Sequence, residues 1–278
     1  MIPQPLIDQF QQQGYAVARG LFSAAEAEVY RDHFMRLREE GQHPGDFSGV
    51  DLSSSDPLKR YPRMIHMHRW DQASLDWMID PRINDHLSAL MGREPFAVQT
   101  MLYFKPPRAR GQALHQDQFY LRVQPGTCIA AWMALDPCDD ENGCLRVVPG
   151  SQDWPLLCTI KADTSQSFTD VTVPVPDGTP VHSVHLQPGD VLFFNGQVVH
   201  GSGPNLSETR FRRALIGHYI AGEATEVAKY YHPALRMDGS VIDLGTSQGG
   251  GACGVWVDQD GSPVIELAGA EALAKKTE

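Results

Sequence analysis

Residues 186–205 read Leu186-Gln187-Pro188-Gly189-Asp190-Val191-Leu192-Phe193-Phe194-Asn195-Gly196-Gln197-Val198-Val199-His200-Gly201-Ser202-Gly203-Pro204-Asn205. Pro188-Gly189-Asp190 is a tight-turn sequence, Val191 to Phe194 is an apolar run of strand length, and His200 ends a second short run, Val198–His200. Two strands and two turns follow one another here with no helix between them. The same grammar recurs from Pro95 onward: Ala97–Phe104, Leu114–Val123, Thr127–Leu135, Leu145–Val148, Val181–Leu186 and Arg212–Ile220 are divided by Pro106-Pro107, Pro125-Gly126, Glu141-Asn142-Gly143 and Pro149-Gly150. Short strands at this spacing predict a β-sandwich or barrel rather than an alternating strand–helix fold.

Upstream of Pro95 the pattern is helical. Pro5–Gln13 is a short amphipathic helix broken by Gly14, and Tyr15–Arg19 is strand-like. Ser23 followed by Glu26 is a capping-box start for a helix that runs to Glu40 and stops at Gly41. Residues 41–63 are rich in Gly, Pro, Ser and Asp and predict a surface loop, and Trp70–Met91 predicts one or two helices closed by Gly92. Asp258-Gln259-Asp260-Gly261 has hairpin-turn composition, and the Ala/Glu/Lys-rich tail from Ala268 is helix-forming. The expectation is an α+β chain with a mainly β core, a single domain over 1–278. Within it, 1–95 is a helical part with a lid loop, 96–222 the barrel core and 223–278 a C-terminal extension.

The 278 residues carry 23 Lys+Arg against 34 Asp+Glu, a net charge of -11, which argues against nucleic acid or anionic membrane as the main partner. No apolar run approaches the roughly 20 residues of a transmembrane helix, and the N-terminus lacks a secretory pattern, so the expected compartment is cytoplasmic. Five cysteines without a Cys-x-x-Cys pair make no disulfide framework or zinc ribbon and predict buried free thiols. The sequence carries no signal for oligomeric state.

Three constellations carry chemistry. His115-Gln116-Asp117 places an imidazole and a carboxylate two residues apart, on one face if the segment is a strand, which is two-thirds of a 2-His-1-carboxylate metal site. His200, where sheet meets loop, is the candidate second imidazole. Phe211-Arg212-Arg213-Ala214 opens a further apolar strand, where a guanidinium can grip a small carboxylate in a bidentate pair. Periodicity does not separate Arg210, Arg212 and Arg213. Each constellation alone has a structural reading: a surface polar pair, a core histidine, a basic edge.

In this order the motifs resemble the phytanoyl-CoA dioxygenase family of Fe(II)/2-oxoglutarate-dependent oxygenases. The resemblance rests on Phe104-Lys105-Pro106-Pro107, His115-Gln116-Asp117, Asn142-Gly143-Cys144-Leu145, Pro149-Gly150-Ser151 and His200-Gly201-Ser202-Gly203-Pro204-Asn205. It implies a double-stranded β-helix (a jelly-roll, cupin-like barrel) flanked by the N-terminal helices. It implies that His115, Asp117 and His200 bind Fe(II), that Arg212 grips 2-oxoglutarate, and that Ser202, Gln99, Tyr103 and Trp132 complete the cosubstrate pocket. O2 is the co-reactant and ascorbate an expected activator in vitro. Asp117 favours hydroxylation, because halogenating relatives lack the carboxylate.

Arg60-Tyr61-Pro62-Arg63-Met64-Ile65-His66-Met67-His68-Arg69-Trp70 is dense in cations and aromatics within an acidic protein. Arg60, Arg63, His66 and Arg69 are therefore candidate contacts to an anionic or zwitterionic small-molecule substrate, such as an aminophosphonate, an amino acid or a natural-product precursor. His66 and His68 have the spacing of residues sharing a strand face, which raises a second metal site as a further option. Gln118 and Tyr120, just past the metal motif, are further substrate candidates. The competing functional readings are a non-catalytic jelly-roll binding module and a zinc hydrolase using the same ligands.

Overall fold

The computed structural model describes residues 2–249 and 251–268. Helices α1 (Gln4–Gln13), α2 (Ala24–Glu40), α3 (Pro57–Arg60), α4 (Gln72–Met78) and α5 (Pro81–Met91) surround β1 (Tyr15–Ala18) and β2 (Met64–Ile65) and lead into β3 (Pro95–Tyr103) and β4 (Gln112–His115). A one-turn helix, α6 (Gln118–Leu121), precedes β5 (Cys128–Ala134), β6 (Leu145–Val147) and a small ribbon of β7 (Ile160–Lys161) and β8 (Val171–Thr172). Next come β9 (His182–Val184), β10 (Val191–Asn195), β11 (His200–Ser202) and β12 (Ala214–Ala221). The C-terminal part adds β13 (Glu226–Val227), β14 (Ala234–Arg236), β15 (Val241–Ile242), β16 (Gly245–Thr246) and a hairpin of β17 (Cys253–Gln259) and β18 (Ser262–Ala268).

A large sheet runs β1-β10-β5-β12-β3-β14-β15, with β2 paired to β3, and a small sheet runs β4-β11-β6-β9. This is a double-stranded β-helix. The large sheet is covered on both faces, which explains why its strands read as near-continuous apolar runs. Ala130, Trp132 and Ala134 of β5, Leu192 and Phe194 of β10 and Ala214 and Ile216 of β12 pack inward on Leu145, Val147 and Val184 of the small sheet. Their sequence neighbours Ile129, Ala131, Met133, Val191, Phe193, Leu215 and Tyr219 pack outward on Phe34, Trp77 and Leu87 of the helices. The period-two alternation of a strand thus sorts two apolar sets to two cores. Each fully buried large side chain contributes about 1.5–3 kcal/mol.

Local signals hold where they were strongest. Ser23 caps α2 as a complete capping box, Gly14 and Gly92 are left-handed stops, and Asp260-Gly261 turns β17 into β18 with both φ angles positive (55° and 81°). Several expectations need correction. The 41–63 segment is not all surface loop: it contains α3, and its Asp46 forms an ion pair with Arg38 whose two side chains are 1% and 2% exposed. The expected strand Leu114–Val123 ends at His115 and gives way to α6. His200 begins β11 rather than ending a strand, and Arg212 lies before β12, its N–H donating to the Lys105 carbonyl. His66 and His68 share no strand face, because His66 adopts a left-handed conformation (φ 58°) between β2 and a 3₁₀ turn.

Not all the cysteines are free. Cys158 and Cys253 are joined in a disulfide, brought together by the pairing of Leu157 with Gly254, while Cys128, Cys138 and Cys144 are buried thiols. The helix expected from Ala268 lies outside the described residues. Among the described residues no helix is long and apolar enough to cross a membrane.

Candidate metal centre

His115 and His200 are partners in the β4–β11 ladder, so antiparallel pairing in the small sheet joins residues far apart in sequence. Asp117 reaches them by a turn rather than along the strand. Two residues past His115 it heads α6, which is anchored by Gln118 N–H donating to the Gly196 carbonyl in the loop before β11. His115 Nε2 lies 3.5 Å from Asp117 Oδ1, and His200 Nε2 lies 3.7 Å from Asp117 Oδ2. One ligand atom from each of the three falls within 4.8 Å of the others.

The imidazoles are held in a defined tautomer. His115 Nδ1 donates to the Ala113 carbonyl and His200 Nδ1 to the Val198 carbonyl, both at 2.9 Å, which leaves each Nε2 with its lone pair facing the cavity. Burial, with neighbouring His115 adding to it, pushes the His200 imidazole down to about 4 and keeps it neutral at physiological pH. Burial alone would raise the Asp117 carboxyl. The imidazoles packed around it, His200 first, then His218 and His115, outweigh burial and hold the group well below the usual carboxylate range. Two buried lone pairs and a carboxylate aimed at one point fit a divalent cation. The Gln112 amide, 3.0 Å from His115 Nε2, is the group such an ion displaces.

His218 was not among the residues picked out from the sequence. Its Nε2 lies 3.1 Å from Asp117 Oδ2, its side chain is 5% exposed, and it projects from β12 on the inward face with Ala214 and Ile216. The signal was there: counting by twos from Arg212 through Ala214 and Ile216 reaches His218.

At the other end of the same cavity stands one buried cation, Arg212, and a second, Lys105, is buried beside the cavity wall at Ser202. The Arg212 guanidinium lies 5.2 Å from the Trp132 ring centre and donates through Nε to the Gly143 carbonyl. Lys105 Nζ donates to the same carbonyl, to Ser202 Oγ (2.8 Å) and to the Gly203 carbonyl. Burial lowers the pKa of both, and Arg212 adds to the lowering at Lys105. Neither has a carboxylate within ion-pair distance among the described residues. Arg210 and Arg213 do: Arg210 pairs with Asp139 and Glu141, and Arg213 forks onto Asp136. Tertiary pairing thus separates three arginines that periodicity could not. Gly143 is needed where it stands, since a Cβ there would fall 2.4 Å from the Gly203 carbonyl oxygen, and φ is +75°. Nothing in the residue type of Lys105 signals this burial, because a lysine reads as solvent-exposed by default.

Tyr103, Trp132 and Ser202 line this cavity, while Gln99 is buried one step deeper along β3 and does not reach it. Of the candidate substrate contacts, Tyr120 stands edge-on to His115 with ring centres 6.2 Å apart. Arg63 donates to the Tyr103 hydroxyl. The others do not line the cavity. Arg69 donates to the Tyr230 and His232 carbonyls, Gln118 braces the turn through the Val123 and Gly126 carbonyls, and Arg60 buries its Nε without a partner. His66 packs against Tyr230, and burial, with the Arg69 charge second, pushes it down to about 3.

A family profile described as phytanoyl-CoA dioxygenase (PhyH) matches residues 10–214. The peroxisomal phytanoyl-CoA dioxygenase of Rattus norvegicus is 28% identical over 233 residues, 79% of this chain and 68% of that one. For the Bos taurus protein the shares are 76% and 66%, at 28% identity, so the chain spans about two thirds of these relatives. Among solved structures, EvdO2 from Micromonospora carbonacea superposes with a TM-score of 0.64 at 25% identity, covering 80% of this chain and 91% of that one. EctD from S. alaskensis with bound Fe gives 0.63 at 20% identity, covering 79% and 77%. The epimerase SnoN, in complex with Fe3+, alpha ketoglutarate and nogalamycin RO, gives 0.64 at 21% identity over 80% and 84%.

Proposed function

The chain belongs to the phytanoyl-CoA dioxygenase family, and on that premise we propose that it is an Fe(II)- and 2-oxoglutarate-dependent dioxygenase that hydroxylates an unactivated C–H of a small anionic or zwitterionic molecule. In the overall reaction one oxygen atom of O2 enters the product hydroxyl and the other enters succinate, with release of CO2. The observation that carries this reading is the pairing, in one cavity, of a His-Asp-His cluster with the buried Arg212, which has no carboxylate partner among the described residues.

His115, Asp117 and His200 would hold the iron, whose chemistry when bound is O2 activation coupled to cosubstrate decarboxylation. The rest falls to the chain. Arg212 supplies two parallel N–H donors to the distal carboxylate, and the hydroxyl of Ser202, already accepting from Lys105, is free to donate to it. Trp132 and Tyr103 wall the cosubstrate from water. His218 Nε2–H donates to Asp117 Oδ2 and fixes the carboxylate's rotation. Replacing His218 with leucine should therefore weaken anaerobic Fe(II) binding about 10–100-fold, with Asn recovering part of the loss. Calorimetric titration showing unchanged Fe(II) affinity would remove this role.

The functional test is succinate release from 2-oxoglutarate with Fe(II) and ascorbate, screened over amino acids, aminophosphonates and related small acids. The reading expects substrate-dependent succinate in step with a product heavier by one oxygen. Zinc-dependent, O2-independent turnover without succinate would contradict it.

A further inference from the structure

Beside the metal cavity lies a second, larger chamber of about 190 Å3, between the 47–63 segment, the end of β3 and the loop around Phe168. Its walls include the rings of Phe47, Tyr61, Tyr103 and Phe168. Arg63 is set among them: its guanidinium carbon lies 3.9 Å from the Phe47 ring centre, 5.2 Å from that of Phe168 and 5.6 Å from that of Tyr103. Nη1 donates to the Tyr103 hydroxyl at 3.0 Å. No carboxylate lies within ion-pair distance of Arg63 among the described residues, although the protein carries an excess of acids. Lys59, Lys105 and Arg110 add further cations to the lining, whose one carboxylate, Asp56, is taken by Arg110.

The chamber is built rather than incidental. Arg110 ties its two sides together, donating to Asp56 of the 47–63 side and to the Thr164 and Ser167 carbonyls of the other. Phe47 N–H donates to the Arg63 carbonyl, which holds ring and guanidinium in register. The chamber also adjoins the chemistry. Tyr103 lines both spaces, and the Tyr120 hydroxyl, near His115, feels the charges of Asp117 and Arg63. A guanidinium stacked on rings keeps its edge free for an oxyanion while its faces are desolvated.

We infer that this chamber is the site of the primary substrate and that it selects a small free organic acid: a carboxylate, phosphonate or phosphate head on Arg63, and an apolar, planar body against Phe47, Tyr103 and Phe168. The inference rests on the oxygenase reading for its connection to catalysis, but not for the binding itself.

The test is calorimetry under nitrogen with phenylacetate, phenylphosphonate and neutral phenylacetamide, with and without Fe(II) and 2-oxoglutarate. The acids should bind about 10–100-fold more tightly than the amide, as expected for losing a hydrogen bond to a charged group. The stronger of the two acids identifies the oxyanion. Arg63→Met should erase the preference and leave the 2-oxoglutarate Kd unchanged, and Arg63→Lys should keep part of it. Equal binding of acid and amide by the unmodified protein overturns the inference. So does an Arg63→Met variant that weakens 2-oxoglutarate and spares the acids, since Arg63 would then serve the cosubstrate. Failure of the unmodified protein to bind 2-oxoglutarate with Fe(II) defeats the oxygenase reading instead, and the acid–amide difference still judges the chamber.

Discussion

Replacing Asp117 with alanine should abolish substrate-dependent succinate release and weaken Fe(II) binding by more than about 100-fold, the upper end of what loss of a mere outer-shell partner costs. The carboxylate is the only anion in contact with three imidazoles among the described residues: His115, His200 and His218 each reach one of its oxygens. Without it, a divalent ion would meet two neutral nitrogen donors in a buried cavity and no compensating charge. Metal analysis after anaerobic loading and desalting checks this. Stoichiometric iron in Asp117→Ala with turnover intact would show that the carboxylate is structural.

The second large effect concerns Arg212, and here stability and function should move in opposite directions. Arg212 is a buried cation beside a buried lysine, with backbone carbonyls but no carboxylate to offset them. Such an arrangement is costly until an anion arrives. Arg212→Met should leave the metal-free protein as stable as before or more so, by up to about 1–4 kcal/mol, as when buried charges give way to apolar side chains of similar size. The same substitution should raise the 2-oxoglutarate Kd about 100-fold or more, since two charge-assisted hydrogen bonds of about 1.5–3 kcal/mol each are lost. Arg212→Lys should restore little, because a point charge does not reproduce the fork. Urea unfolding and anaerobic calorimetry measure the two quantities. A destabilised variant with normal 2-oxoglutarate affinity would mean that Arg212 is a packing residue.

What could be read in advance follows from range. The strands of the large sheet were legible because both faces are buried, so β5, β10 and β12 appear as near-continuous apolar runs. The capping box and the Asp260-Gly261 hairpin were legible because their physics lies within four residues. The His-Asp-His cluster was legible in composition but not in geometry. Asp117 was expected to follow His115 along a strand, whereas α6 swings it back, and nothing short of the Gln118–Gly196 hydrogen bond announces that turn. The choice among Arg210, Arg212 and Arg213 depended on Asp136, Asp139 and Glu141, which are distant in sequence. The Cys158–Cys253 bond spans 95 residues and left no local trace. Gln118 and Arg69 looked like free polar groups, but their N–H groups donate to backbone carbonyls. His218 and Lys105 could have been found by following strand parity and by asking why a lysine precedes two prolines.

The central claim is that one cavity binds a ferrous ion at His115, Asp117 and His200 and a dicarboxylate between that ion and Arg212. Anaerobic titration of the unmodified protein with Fe(II) and then 2-oxoglutarate, followed by visible absorption, addresses it directly. The account predicts a weak metal-to-ligand charge-transfer band that saturates at one equivalent of each and is absent with either alone. A protein that takes up iron yet shows no band with 2-oxoglutarate, or whose band survives His115→Ala, would contradict it.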